Sequence, residues 1–239
     1  MTFNSQELKI KLFADGANLD GMLEMYEKPF IKGLTTNPTL MRKAGVSNYK
    51  SFAREVLKNV TDKPVSFEVF SDDLDEMERE GLEIASWAEN VYVKIPITNT
   101  QGKSTFTVVE RLAAAKCKVN VTALMTVQQA EHISLAFDPS VPSCISIFAG
   151  RIADTGRNPE AIMQHSLEVI KHLPECEIIW ASPRELLNIF QADAIGCHII
   201  TATNDLLNKL TLVGKDLTEY SLETVKMFAD DALKSGFSI

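Results

Sequence analysis

Lys94 stands in the stretch ENVYVKIPIT, inside an apolar run that reads as a buried strand closed by a proline. An unpaired charge in a low-dielectric interior is costly, and a buried lysine commonly escapes by giving up its proton. An amine kept partly neutral in this way is a nucleophile. It can condense with a ketone to an imine whose protonated form is an electron sink for the adjacent C–C bond. The bland reading of the same residue is a stem lying along the strand end with its ammonium in water. Making and hydrolysing an imine moves protons several times, and Asp15 and Glu68 offer two carboxyls that could divide the acid and base roles. Thr122 could hold the relaying water, while Asn37 and Asn120 offer amides to substrate hydroxyls. Arg151 and Arg184 supply forked donors suited to a phosphate, helped by Ser182 and by the N-terminus of a helix expected to start at Pro183. A phosphorylated sugar is the substrate class this set suggests.

The elements that must position these residues alternate along the chain. Apolar runs read as strands at KIKLFAD (Lys9–Asp15), IKGLTTNP, PVSFEVF, VYVKIP, CKVNVT, CISIFAG, EIIWAS and CHIITAT. Between them, helical periodicity covers Leu19–Tyr26, Tyr49–Asn59, the acidic stretch Asp73–Trp87, and about Lys103–Ala115, Val127–Ala136, Pro159–Leu173, Pro183–Ala194 and Asn204–Leu210. About eight strand–helix units is the count of a closed (β/α)8 TIM barrel in the α/β class, read as a single domain over residues 1–239. Active sites of such barrels form at the carboxyl ends of the strands. The polar residues there are Asp15, Thr35 with Asn37, Glu68, Lys94, Asn120 with Thr122, Ser146 with Phe148 and Arg151, and Ser182 with Arg184. Each has a structural alternative when taken singly: Asp15 could cap a helix, TTNP could be a plain turn, Arg151 could pair with Asp154, and Asn120 or Thr122 could bond a neighbouring backbone.

Composition narrows the partners. A formal charge of −8 and a pI near 5.1, with no basic stripe, argue against a nucleic-acid or anionic-membrane surface. No apolar run approaches the ~20 residues of a membrane span, and the N-terminal residues lack a signal-peptide pattern, so a cytoplasmic protein is expected. The four cysteines and four histidines are scattered without ligand spacing, which suggests reduced thiols and no metal site. Residues 216–239 follow the last unit as a C-terminal helical extension. Leu217, Tyr220, Val225, Phe228 and Leu233 recur there at helical spacing, and Gly236 reads as the stop. That apolar face must be buried, either on its own barrel or on a neighbouring subunit.

The segments GLTTNPTL, VYVKIPIT, CKVNVTALMTVQQA, ISIFAGRIAD and WASPRELLNIFQADAIGCHIITAT, taken in order, resemble the small-subunit branch of the transaldolase family of Schiff-base aldolases. The resemblance covers roughly Lys9 to Leu210. It implies that Lys94 forms the Schiff base, that Asp15 and Glu68 are the acid/base pair, and that Thr122 positions the catalytic water. It also implies hydroxyl contacts from Thr35, Asn37, Asn120 and Ser146, a phosphate end at Arg151, Ser182 and Arg184, and no cofactor. The implied substrates are fructose 6-phosphate, erythrose 4-phosphate, sedoheptulose 7-phosphate and glyceraldehyde 3-phosphate, the sugars of pentose phosphate pathway chemistry. Homo-oligomeric rings of about five subunits, or paired rings, are likewise implied. The related fructose-6-phosphate aldolase subgroup, which releases free dihydroxyacetone, carries glutamine at the position of Glu68 and tyrosine at that of Phe148. Glu68 and Phe148 therefore favour a transaldolase. The match departs at Pro183, where a polar residue is expected, and is looser at Ala149 and Gly150. Two other classes compete: a barrel that binds sugar phosphates without turnover, and a metal-dependent epimerase or isomerase on the same fold. The complete lysine–carboxylate set counts against the first, and the lack of a ligand cluster against the second.

Overall fold

The computed structural model describes residues 8–236. Its strands are β1 (Lys11–Asp15), β2 (Ile31–Thr35), β3 (Val65–Glu68), β4 (Val91–Pro96), β5 (Val119–Leu124), β6 (Ser143–Ile147), β7 (Cys176–Trp180) and β8 (Ile199–Thr203). All pair in parallel with their sequence neighbours, and β8 pairs back onto β1, so the sheet closes into a barrel. The helices are α1 (Leu19–Tyr26), α2 (Pro38–Lys43), α3 (Tyr49–Asn59), α4 (Leu74–Ala85), α5 (Phe106–Ala114) and α6 (Val127–Ser134). They continue with α7 (Ala149–Asp154), α8 (Glu160–Val169), α9 (Leu187–Ala194), α10 (Asn204–Asn208) and α11 (Leu217–Ser235). The expected eight-unit TIM barrel with a C-terminal helix is the observed architecture.

Strand side chains alternate between the two faces of the sheet. One set, including Leu34, Val93, Val121, Ile145 and Ile178, packs outward against the helices in the main core. The other points into the barrel. Its lower layer is a separate small cluster of Phe13, Cys144, Ile179 and Ile199, with Tyr92 against it. Gly33 lets the Phe13 ring lie over β2: a Cβ there would stand 2.5 Å from the ring. This apolar floor sits one alternation below Asp15, Lys94, Ser146 and Thr201, which are two residues further along β1, β4, β6 and β8.

Several helix starts are set by side-chain caps that satisfy free backbone amides. Asn18 caps α1, Asn48 caps α3, Asp73 caps α4, and Thr126 with Gln129 forms a reciprocal capping box on α6. Asn18 rather than Asp15 therefore caps the first helix. One expectation is corrected: no helix begins at Pro183. Ser182 is held at φ +61°, Pro183 and Arg184 lie in the connection, and α9 starts only at Leu187. The left-handed turn at Ser182 breaks the geometry a helix entry needs. At the C-terminus, Gly236 ends α11 in the left-handed conformation (φ +67°), as its position suggested.

Candidate active site

The barrel register brings the candidate residues together. Glu68, Lys94 and Asn120 are direct neighbours across β3, β4 and β5, and Asp15 is the neighbour of Thr35 across β1 and β2. Lys94 is only 6% exposed, so the water-reaching alternative does not hold. Its Nζ donates to the carbonyl of Thr36 at 3.0 Å and lies 3.4 Å from Glu68 Oε2. The backbone carbonyl of Glu68 in turn accepts from the Tyr49 hydroxyl at 2.9 Å.

Asp15 is gripped from two sides. Thr35 Oγ1 donates to its Oδ1 at 2.8 Å and Asn37 Nδ2 to its Oδ2 at 3.2 Å. Asn37 does two jobs, since its Oδ1 also caps α2 by accepting from the Leu40 amide at 3.0 Å. That cap orients the amide, because the oxygen is occupied and only the NH2 group can face the carboxylate. TTNP is thus both a helix start and part of the site. Burial pushes the Asp15 carboxyl above the ordinary carboxylate range, against the opposing pull of the Lys94 charge and the Thr35 and Asn37 hydrogen bonds. Glu68 is raised for the same leading reason, opposed by Lys94 and reinforced by the charge of Asp15. Two carboxyls with elevated proton affinity around one buried amine form a constellation able to exchange protons during covalent chemistry.

A second layer is wholly polar and buried. Asn120 Nδ2 donates to Ser66 Oγ at 3.1 Å, and its Oδ1 accepts from Ser146 Oγ at 2.7 Å. Thr122 Oγ1 is buried and has no hydrogen-bond partner among the described residues. The β5–β6 pairing is irregular between Val121 and Leu124, where Ala123 takes φ +66°. This bulge follows Thr122 directly, a common device for re-aiming a side chain at a barrel rim.

The outer end is built from α7 and the β7–α9 connection. Arg184 Nε donates to Asp154 Oδ1 at 2.9 Å and its Nη1 to Ser182 Oγ at 3.1 Å, with a second, shorter Nη2 contact to Asp154. Asp154 therefore pairs with Arg184 and not with Arg151, whose guanidinium instead lies 5.6 Å from the Phe148 ring centre. Gly150 is required here: a Cβ on it would fall 1.6 Å from the Ser182 carbonyl oxygen. The looser match at this glycine thus coincides with the closest backbone approach described for any glycine of the chain.

The family profile described as Transaldolase/Fructose-6-phosphate aldolase matches residues 12–239. This chain belongs to that family. A probable transaldolase of Thermoanaerobacter sp. is 33% identical over 234 residues, covering 96% of this chain and 100% of its own length. Probable transaldolase 1 of Bacillus cereus is 35% identical over 222 residues, covering 92% and 97%. A solved structure, a putative dihydrodipicolinate synthase family protein from Coccidioides immitis, superposes with a TM-score of 0.61 at 10% identity. It covers 95% of this chain and 76% of that one, and shares the fold alone.

Within the transaldolase/aldolase barrel, the anticipated inner residues form three bonded groups: Thr35 and Asn37 on Asp15, Glu68 on Lys94, and Ser146 on Asn120. Arg151, Ser182 and Arg184 form a separate, more open group. Four residues escaped the sequence reading: Thr36, whose carbonyl receives the Lys94 bond, and Tyr49, Ser66 and Thr201. Strand alternation carried a signal for two of them, since Ser66 stands two residues before Glu68 and Thr201 two before Thr203 at the mouth. No local pattern marks Tyr49, which reaches the site from a helix. Among the described residues, no group of three or more His, Cys, Asp or Glu side chains could hold a metal, and no helix is long and apolar enough to cross a membrane.

Proposed function

We propose that the chain is a transaldolase, moving a three-carbon dihydroxyacetone unit between phosphorylated sugars through an imine on Lys94. The observation that carries the reading is a buried lysine amine 3.4 Å from one carboxyl and electrostatically coupled to a second, both with raised proton affinity. In this scheme the Nζ lone pair adds to the ketose carbonyl carbon, and the oxygen leaves as water after taking a proton from Glu68. Asp15 accepts the hydroxyl proton of the sugar carbon whose C–C bond breaks, and the bonding electrons pass into the iminium to give an enamine. An acceptor aldose then takes the unit by the reverse steps. The unpartnered buried hydroxyl of Thr122 supports a role in holding the water that hydrolyses the final imine. Asn37, Asn120, Thr35 and Ser146 would contact sugar hydroxyls, and Arg184, Arg151 and Ser182 the phosphate.

Borohydride reduction in the presence of fructose 6-phosphate, followed by mass spectrometry, tests the imine. A stable adduct on Lys94 is expected, and Lys94→Arg should abolish both the adduct and turnover while the protein stays folded. An active arginine variant removes the assignment.

The carboxyl at Glu68 and the ring of Phe148, which lacks a hydroxyl, favour transfer over release. Transfer to erythrose 4-phosphate should greatly outpace cleavage of fructose 6-phosphate alone, and Phe148→Tyr should move the ratio toward cleavage. Free dihydroxyacetone formed equally fast without acceptor would make the chain an aldolase. We further propose a homo-oligomer: α11 buries none of its residues, and Leu217, Tyr220, Val225, Phe228 and Leu233 are 43–80% exposed, which suits a second copy.

A further inference from the structure

We propose that Thr201 is a positioning residue for Asp15, holding Thr35 so that one hydroxyl pair serves both proton states of the carboxyl. The proposal rests on the reading of Asp15 as a proton-exchanging group. Thr201 Oγ1 lies 2.6 Å from Thr35 Oγ1, which lies 2.8 Å from Asp15 Oδ1. Both threonines are buried.

Donor counting fixes what this chain of atoms can do. Each hydroxyl has one proton. When Asp15 is a carboxylate, Thr35 spends its proton on Oδ1, so the proton between the two threonines is that of Thr201. When Asp15 is protonated, the proton belongs on Oδ1, because Asn37 Nδ2 faces Oδ2 and can only donate. Asp15 then donates to Thr35, Thr35 (2% exposed) turns its own proton to Thr201, and Thr201 (7% exposed), which has no other partner among the described residues, turns its hydrogen toward solvent. Both states keep the two contacts, and the switch needs only rotation of two hydroxyl hydrogens. Without the Thr201 oxygen, the protonated state leaves the Thr35 proton buried without an acceptor, whereas the ionised state loses only a donor to a lone pair. The cost falls mainly on the acid form. The charged groups acting on Asp15 are Lys94 from β4 and Glu68 from β3, while β2 and β8 present hydroxyls and an amide.

The test is a carbon-13 NMR titration of the Asp15 carboxyl in full-length protein labelled at aspartate, which needs no catalysis. In Thr201→Val the Asp15 midpoint should fall by roughly half to one pH unit, and Thr201→Ser should retain the unsubstituted midpoint. Thr201→Ala should repeat the fall if the valine variant does not fold. In transfer assays the corresponding limb of kcat/KM should move with the midpoint while KM stays within about twofold. An unchanged midpoint in the valine or alanine variant, or an equal fall in the serine variant, overturns the proposal. Absence of a borohydride adduct in the unsubstituted protein would overturn the transaldolase reading instead, and the titration would still judge Thr201.

Discussion

Asp15 is held in a setting that favours its neutral form, and this has a consequence for stability as well as chemistry. A carboxyl whose folded pKa exceeds its unfolded one contributes stability that is complete below the unfolded value and is lost as pH rises through the folded value. Asp15→Asn should therefore show a shallower decline of Tm from about pH 4 upward than the unsubstituted chain, read by calorimetry across that range. Parallel Tm curves would mean that the burial of Asp15 does not govern its titration. Arg184 carries a second expectation. Its guanidinium is already engaged by Asp154 and Ser182, so a phosphate must join or displace these bonds. Arg184→Ala should raise KM for phosphorylated ketoses by about tenfold or more and leave unphosphorylated ketoses nearly unaffected. Equal losses on both would assign Arg184 to holding α7 against the β7–α9 connection. The thiols give a third. Cys117, Cys144, Cys176 and Cys197 are buried, and burial pushes the Cys176 and Cys197 thiols up to about 12. At pH 8 only about one molecule in ten thousand would carry either thiolate, so alkylation should wait for unfolding.

Elements show where reading a sequence reaches and where it stops. The placement of Lys94, Glu68 and Asp15 at the carboxyl ends of their strands was legible because strand ends in a closed barrel must converge, and an apolar run with one lysine is its own signal. The starts of α1, α3 and α6 fall where helical periodicity put them, whereas their caps Asn18, Asn48 and Thr126 were not singled out, and Asp73, read as the first residue of its helix, is the cap that precedes α4. The short helices α2 and α7 were not foreseen, because six residues give too little periodicity to distinguish a helix from a turn. The start of α9 was misplaced because proline suits a first helical turn, and nothing local reveals that Ser182 is left-handed. That conformation is set by tertiary contact: the Gly150 amide donates to the Ala181 carbonyl at 3.3 Å, and its α-carbon lies under the Ser182 carbonyl. Gly150→Ala tests the contact directly. The added methyl meets backbone, which cannot swing aside, so a loss of about 1–3 kcal/mol or more is expected in urea unfolding, with a raised KM for phosphorylated substrate. A variant as stable as its parent would show that the two loops part easily.

At the scale of the whole molecule, α11 is the feature the barrel does not account for. The helix is capped by Asp216, tied by a Lys215–Glu223 ion pair, and ended by Gly236, so it is well defined locally while its apolar residues face outward. A chain ending at Lys215 keeps all eight strands. It should lose the assembled state or precipitate, as read by light scattering; a full-length monomer at micromolar concentration would remove the proposed second copy, and an assembly that survives truncation would place the contact elsewhere.

The closing seam of the barrel has a bearing on how the protein comes into being. Lys11–Asp15 can hydrogen-bond to Ile199–Thr203 only after the last of those strands exists, and the Ile10 amide finds the Asp193 carboxylate across 183 positions of chain. At ribosomal rates of about 5–20 residues per second, β1 waits roughly 10–40 s for its second neighbour. During that wait its free edge is open to other nascent strands, so the interval between emergence and closure is when this chain most needs shelter from its own kind.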